Sequence, residues 1–85
     1  AIEINPHFAE AYSNLGNIFQ DLGELQEAEA CYRKAIEIDP HFAEAYSNLG
    51  GILRVLNKKI ESNECYQKSL NLKPWQIKPA WRINS

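Results

Sequence analysis

The sequence predicts an all-α fold of antiparallel helix-turn-helix units, and three observations carry that prediction. The chain repeats itself at a distance of 34 residues, and apolar residues recur within each repeat at helical spacing. A chain-breaking residue also falls between the two helical stretches of each repeat and after the second one. A period of this length is that of one helical hairpin, and breakers at its midpoint and end set the hairpin's turns.

Residues 1–16, AIEINPHFAEAYSNLG, reappear at 35–50 as AIEIDPHFAEAYSNLG, with Asn5 against Asp39 as the only mismatch. The stretch that follows, 17–34 against 51–68, keeps Ile18/Ile52, Leu22/Leu56, Glu27/Glu61, Cys31/Cys65, Tyr32/Tyr66 and Lys34/Lys68. A third phase opens as SLNLKP at 69–74 and then fades.

Tyr12, Leu15, Phe19 and Leu22 share the spacing of one helix face. They predict a helix A over about 8–21, with this stripe turned toward the next helix. Gly23 breaks the chain, and Leu25, Ala28, Tyr32, Ala35 and Ile36 predict a helix B over about 25–38, closed by Pro40. The second unit repeats the scheme with Tyr46, Leu49, Leu53 and Leu56, then Ile60, Tyr66, Ser69 and Leu70, and ends at Pro74. Asn57 stands where Gly23 stood, and asparagine is the residue that best replaces glycine in a left-handed helix cap. The chain therefore divides into 1–6, the end of a preceding repeat helix; 7–40, unit one; 41–74, unit two; and 75–85, a capping or truncated third helix. In that last stretch Pro79 suits a first helical turn, and Trp75, Ile77 and Trp81 are expected to cover the flank of unit two.

Tyr12-x-x-Leu15-Gly16-x-x-Phe19, followed by Ala28-x-x-x-Tyr32, Ala35 and Pro40, resembles the tetratricopeptide-repeat (TPR) signature, and the likeness covers residues 9–74. Its residues have physical reasons: Gly16 and Gly50 allow helix B close to helix A, Ala28 is small where the helices cross, and the aromatics fill the gap beside them. Ser62, Ser69 and Lys59 depart from the pattern at the Ala28, Ala35 and Leu25 positions, and bear on how tightly the second hairpin closes. The wording AEAYSNLG followed by LQEAEACYRKAIEIDP is similar to the repeats preceding the catalytic domain of O-linked N-acetylglucosamine transferase and to repeats of bacterial multidomain proteins. The resemblance implies a right-handed α-solenoid whose concave wall is lined by the A helices, and a protein-protein interaction module binding a peptide or protein segment there. It also leaves open a non-catalytic substrate-presenting arm of a larger glycosyl- or sulfo-transferring enzyme, or a self-assembling structural spacer.

With the apolar stripe turned to helix B, the other face of helix A holds Glu10, Ser13, Asn14, Asn17, Gln20 and Asp21 in unit one. In unit two it holds Glu44, Ser47, Asn48, Gly51, Arg54 and Val55. The candidate peptide-binding residues are Glu10, Ser13, Asn14, Asn17, Gln20, Glu44, Ser47, Asn48 and Arg54. Asn14 and Asn48 occupy equivalent positions and form a two-rung ladder of amides. A side-chain amide offers two donors and an acceptor, which suits the repeating N–H and C=O groups of an extended peptide. The resemblance implies the same use, since such a ladder binds peptide backbone in the transferase. A clamp for the acidic C-terminal tails of chaperones is not expected, because Arg54 alone supplies a cation to this wall.

The bulk numbers narrow the function classes further. At 45% hydrophobic and 24% charged residues the chain reads as one small soluble domain. No apolar run approaches the roughly 18 residues of a membrane span. Residues 1–50 carry nine acidic groups against Arg33 and Lys34, a net −7, whereas 51–85 carry seven basic groups against Glu61 and Glu64, a net +5. No basic stripe interleaved with aromatics emerges, so nucleic acid is not an expected partner. Two cysteines, Cys31 and Cys65, are too few for a disulfide framework, and no charged-then-apolar leader opens the sequence; a reducing cytoplasm is the expected compartment.

His7 and His41 lie one repeat apart. Units stack at about 10 Å, too far for both imidazoles to reach a zinc held about 2 Å from each, so no metal is expected. The sequence holds no Gly-rich phosphate loop, nucleophile elbow or paired catalytic carboxylates, and neither enzyme activity nor a cofactor is expected. Two units fall short of the roughly three that a stable stack needs. That shortage, with the opposed charge of the two halves, favours homo-oligomers formed by end-to-end stacking or helix exchange.

Overall fold

The computed structural model describes residues 6–73; the expectations for residues 1–5 and for 74–85, including Trp75, Ile77, Pro79 and Trp81, lie outside the described residues. Four helices follow one another: α1 (Pro6–Asp21), α2 (Leu25–Ile38), α3 (Ala43–Val55) and α4 (Lys59–Leu72). α1 packs on α2 and α3 on α4 as two hairpins, and α2 packs on α3 to join them. This is the all-α repeat architecture expected from the period. Among the described residues α1 takes in Pro6 and His7, ahead of the start that the apolar spacing predicts. A first-turn proline loses no helical hydrogen bond and already has the required φ.

The two interhelical turns share one design. Gly23 has φ 77° and Asn57 has φ 67°, both left-handed. Around Gly23, its own N–H reaches Gln20 O at 3.0 Å and the Glu24 N–H reaches Phe19 O at 2.8 Å. Around Asn57, the matching bonds run to Arg54 O at 3.0 Å and from Lys58 N–H to Leu53 O at 2.8 Å. These paired bonds satisfy the last carbonyls of α1 and α3 in a Schellman motif, which needs one left-handed residue. Between the units Asp39 is extended, as a residue before proline must be, and its carboxylate accepts the His41 N–H at 3.1 Å. None of α2, α3 and α4 has a side-chain N-cap bond, so packing rather than capping holds these short helices.

Within each hairpin a tyrosine of the second helix lies over a glycine of the first. A Cβ at Gly16 would fall 2.7 Å from the Tyr32 ring, and one at Gly50 would fall 3.2 Å from the Tyr66 ring. Ala28, Tyr32, Leu49, Ile52 and Leu53 form the buried cluster, flanked by Phe19, Leu25, Ile36, Leu56 and Cys65. Each large apolar side chain buried there contributes about 1.5–3 kcal/mol. Ser62, which replaces the small Ala28, is buried and donates its hydroxyl to Gly50 O at 2.8 Å, so the departure from the pattern leaves no unpaired polar group.

The apolar stripe of α1 does not face α2 as a whole. Leu15, Ile18 and Leu22 are 40%, 55% and 69% exposed, whereas their unit-two counterparts Leu49 and Ile52 are 2% and 0% exposed and Leu56 is half-buried. The line of α1 that is buried is small: Ala9, Ser13 and Gly16. Small residues admit the neighbouring helix, and the large ones on their flank pack against the adjoining unit, which in unit two is α2. On the outer side Arg33 bridges Glu29 at 2.9 Å and Glu61 at 3.0 Å, and Lys58 lies 3.7 Å from Glu29, linking the hairpins. These pairs are largely exposed at Arg33 and Glu61, so burial at the α2–α3 seam outweighs them.

The turn geometry gives a graded prediction. A Cβ at Gly23 would meet nothing within 4 Å, so Gly23→Ala carries the backbone cost alone, about 1 kcal/mol. Asn57→Gly gains several tenths of a kcal/mol by relieving the same conformation. Urea unfolding checks both; a Gly23→Ala chain as stable as the parent would contradict the assignment.

Candidate functional site

The polar wall expected on the A helices divides into parts that behave differently. Glu10, Ser13, Asn14 and Asn17 of α1, with Phe42 and Glu44 at the start of α3, line one groove of about 290 Å³. Five of the sequence candidates therefore converge there. Gln20, Ser47, Asn48 and Arg54 do not line it and lie further along the A helices. Ser13 departs from expectation: it is 4% exposed, a floor residue, while Ser47 one repeat later is exposed. Its side chain belongs to the small line of α1 that admits α2, so it is not part of a free face. Asn14 is exposed and Asn48 half-buried, one on each A helix.

Phe42 lies outside the polar pattern that marks the sequence candidates. It directly precedes α3 as its N-cap residue, and the only available signal was its place in HFAEAY, duplicated from 7–12.

Asn17 and Gln20 are not independent. The Tyr32 hydroxyl donates to Asn17 Oδ1 at 2.5 Å and lies 3.1 Å from Gln20 Oε1. Burial raises the Tyr32 phenol above its ordinary value, with Asp21 and Cys31 adding to the effect, so the hydroxyl stays a donor. The single hydroxyl hydrogen goes to the nearer acceptor, Asn17 Oδ1, which leaves the Asn17 NH2 group as the donor offered to the groove. The wall carries acid at one end, Glu10 and Glu44, and Arg54 at the other. Glu44 lies 3.8 Å from Lys73.

Cys31 and Cys65 are free thiols, and burial raises both above the ordinary thiol value, which disfavours the reactive thiolate. Among the described residues no group of three His, Cys, Asp or Glu side chains is arranged to hold a metal ion, and no helix is long and apolar enough to cross a membrane.

Paired hairpins with a tyrosine packed on a glycine, repeated every 34 residues, define a class, and the comparisons agree. Family models described as tetratricopeptide repeat match residues 9–42 and 31–64. The chain belongs to the tetratricopeptide-repeat family. Among solved structures it is similar to MamA, seen in a crystal structure, with 29% identity and a TM-score of 0.76 over 81% of this chain. The match spans 40% of the MamA chain. Such repeats generally mediate protein-protein interaction.

Proposed function

We propose that this module binds an extended peptide or protein segment along the A-helix wall, without catalysing a reaction on it. The observation that carries the reading is the groove in which Glu10, Asn14, Asn17 and Glu44 meet over a floor of Ser13 and Phe42. It is polar, open and rich in amides, and it is bounded by rigid helices. Asn14 and Asn48 supply the main contacts to the peptide backbone, since each amide both donates and accepts. Asn17 and Gln20 contribute donors, and Glu10 and Glu44 favour a basic residue of the partner at that end.

The double variant Asn14→Ala/Asn48→Ala tests this on an array of extended peptides of varied sequence. The expected result is a roughly tenfold or greater loss across the array, because backbone contacts are shared by all members, with the circular dichroism unchanged. Undiminished binding to the array would overturn the reading.

One observation favours a second role. The face of α1 that carries Phe8, Leu15, Ile18 and Leu22 is exposed, while its equivalent in unit two is covered by α2. A second copy stacked end to end would cover that face as α2 covers α3, and the charge opposition of the two halves would orient it. Sedimentation equilibrium should show concentration-dependent association that Ile18→Asp abolishes. A parent chain that stays monomeric at millimolar concentration would contradict self-association.

A further inference from the structure

We infer that Tyr32 is a positioning residue for peptide recognition: its hydroxyl holds the Asn17 amide with the NH2 group turned to the groove, so that unit one takes a carbonyl oxygen of the bound segment at this point rather than an N–H. This role rests on the peptide-binding reading above and adds what sets the register of the segment.

The Tyr32 ring is fully buried against Gly16, so its hydroxyl comes to the wall from a fixed direction. It lies 2.5 Å from Asn17 Oδ1. That separation suits an O–H donor, for which about 2.5–3.0 Å is normal, and is short for an N–H donor, for which about 2.7–3.2 Å is normal. The oxygen of the Asn17 amide, and not its nitrogen, therefore faces the phenol. Gln20 Oε1, 3.1 Å from the same hydroxyl, is a second acceptor and gives the phenol nothing to accept from. Burial keeps the phenol protonated and thus a donor. An Asn17 amide turned over would set its NH2 group against an O–H donor and lose the bond.

Asn17 is exposed and lines the groove with Glu10, Asn14 and Glu44. With its oxygen occupied from below, its N–H groups are what it offers a ligand. The amides of Asn14 and Asn48 have no hydrogen bond among the described residues, so each can turn to donate or to accept. Such amides hold a peptide backbone at any register. The locked amide does not, and of the two described units only the first has it. The 34-residue offset puts Gly51 at its place in unit two, where a Cβ would fall 3.5 Å from the Tyr66 hydroxyl and no side-chain amide stands. Unit one thus marks where a carbonyl of the segment must lie.

The test uses the full 15N-labelled chain and a blocked peptide of alternating glycine and alanine, with a set in which one carbonyl at a time becomes a thiocarbonyl, a weaker acceptor. In the free protein Tyr32→Phe, which keeps the ring on Gly16, should move the Asn17 side-chain NH2 signals and leave those of Asn14 and Asn48 in place. Asn17→Ala should weaken peptide binding about fivefold. Tyr32→Phe should weaken it about threefold, and the double variant no more than Asn17→Ala alone, because the hydroxyl acts through the amide. One thiocarbonyl position should cost the parent about fivefold, and that dip should vanish in Asn17→Ala and flatten in Tyr32→Phe. A hydroxyl that merely supports the fold would leave the dip in place. Additive losses in the double variant, a scan that Tyr32→Phe does not flatten, or full binding by Asn17→Ala would overturn the inference, while the groove would stand through Asn14 and Asn48. No binding of the peptide by the parent chain would remove the groove reading itself, and the inference with it.

Discussion

The contact on which the rest of the molecule depends is a tyrosine ring lying on a glycine backbone. At Gly16 the Tyr32 ring occupies the space that a methyl group would take, and at Gly50 the Tyr66 ring does nearly so. This fixes how closely the two helices of each hairpin approach. It also decides where the phenol emerges, because the ring crosses the hairpin and delivers its hydroxyl to the A-helix wall. Core and binding wall are thereby built by the same side chain. In unit one the hydroxyl donates to Asn17 Oδ1; in unit two Gly51 and Arg54 stand at the positions of Asn17 and Gln20.

Repeat architecture explains why identical words in the sequence have different fates. Leu15 and Leu49 sit in the same AEAYSNLG segment, yet one is largely open and the other buried. A repeat contacts only its neighbours, so the environment of a side chain is set by whether a unit lies beside it. Unit two has α2 against it; the corresponding face of α1 has no described element against it. The seam between units brings Ala28 and Tyr32 together with Leu49, Ile52 and Leu53 in one buried cluster, and the exposed ion pairs beside it add little.

Much of the fold could be read from sequence because it is written in local backbone chemistry. A left-handed residue at 23 needs glycine, asparagine substitutes for it at 57, and both conformations are observed. Helix ends followed from such residues and from proline. The direction of the α1 stripe was not legible. Periodicity identifies which residues share a helix face, but a helix with several neighbours buries more than one face, and the smallest line, not the most apolar one, meets the close partner. Spacing alone therefore points Leu15 and Leu22 at α2 and Ser13 at the free wall, although Ser13 is buried. The site candidates Glu10, Asn14, Asn17 and Glu44 share a groove because equivalent positions of stacked units lie side by side. Phe42 carried no polar signal, and the Ser62 bond to the Gly50 carbonyl depends on a tertiary approach that spacing alone does not reveal.

The most direct test of the account is the stability of Gly16→Ala, measured by urea unfolding. Helix propensity alone favours alanine over an interior glycine by about 1 kcal/mol, so a permissive site would become more stable. The account predicts the opposite sign, a loss of about 1–3 kcal/mol, because the new methyl group would lie 2.7 Å from the fully buried Tyr32 ring and something must move. A Gly16→Ala chain as stable as the parent, or more so, would show that the tyrosine-on-glycine contact does not set the approach of the helices, and would contradict the account at its base.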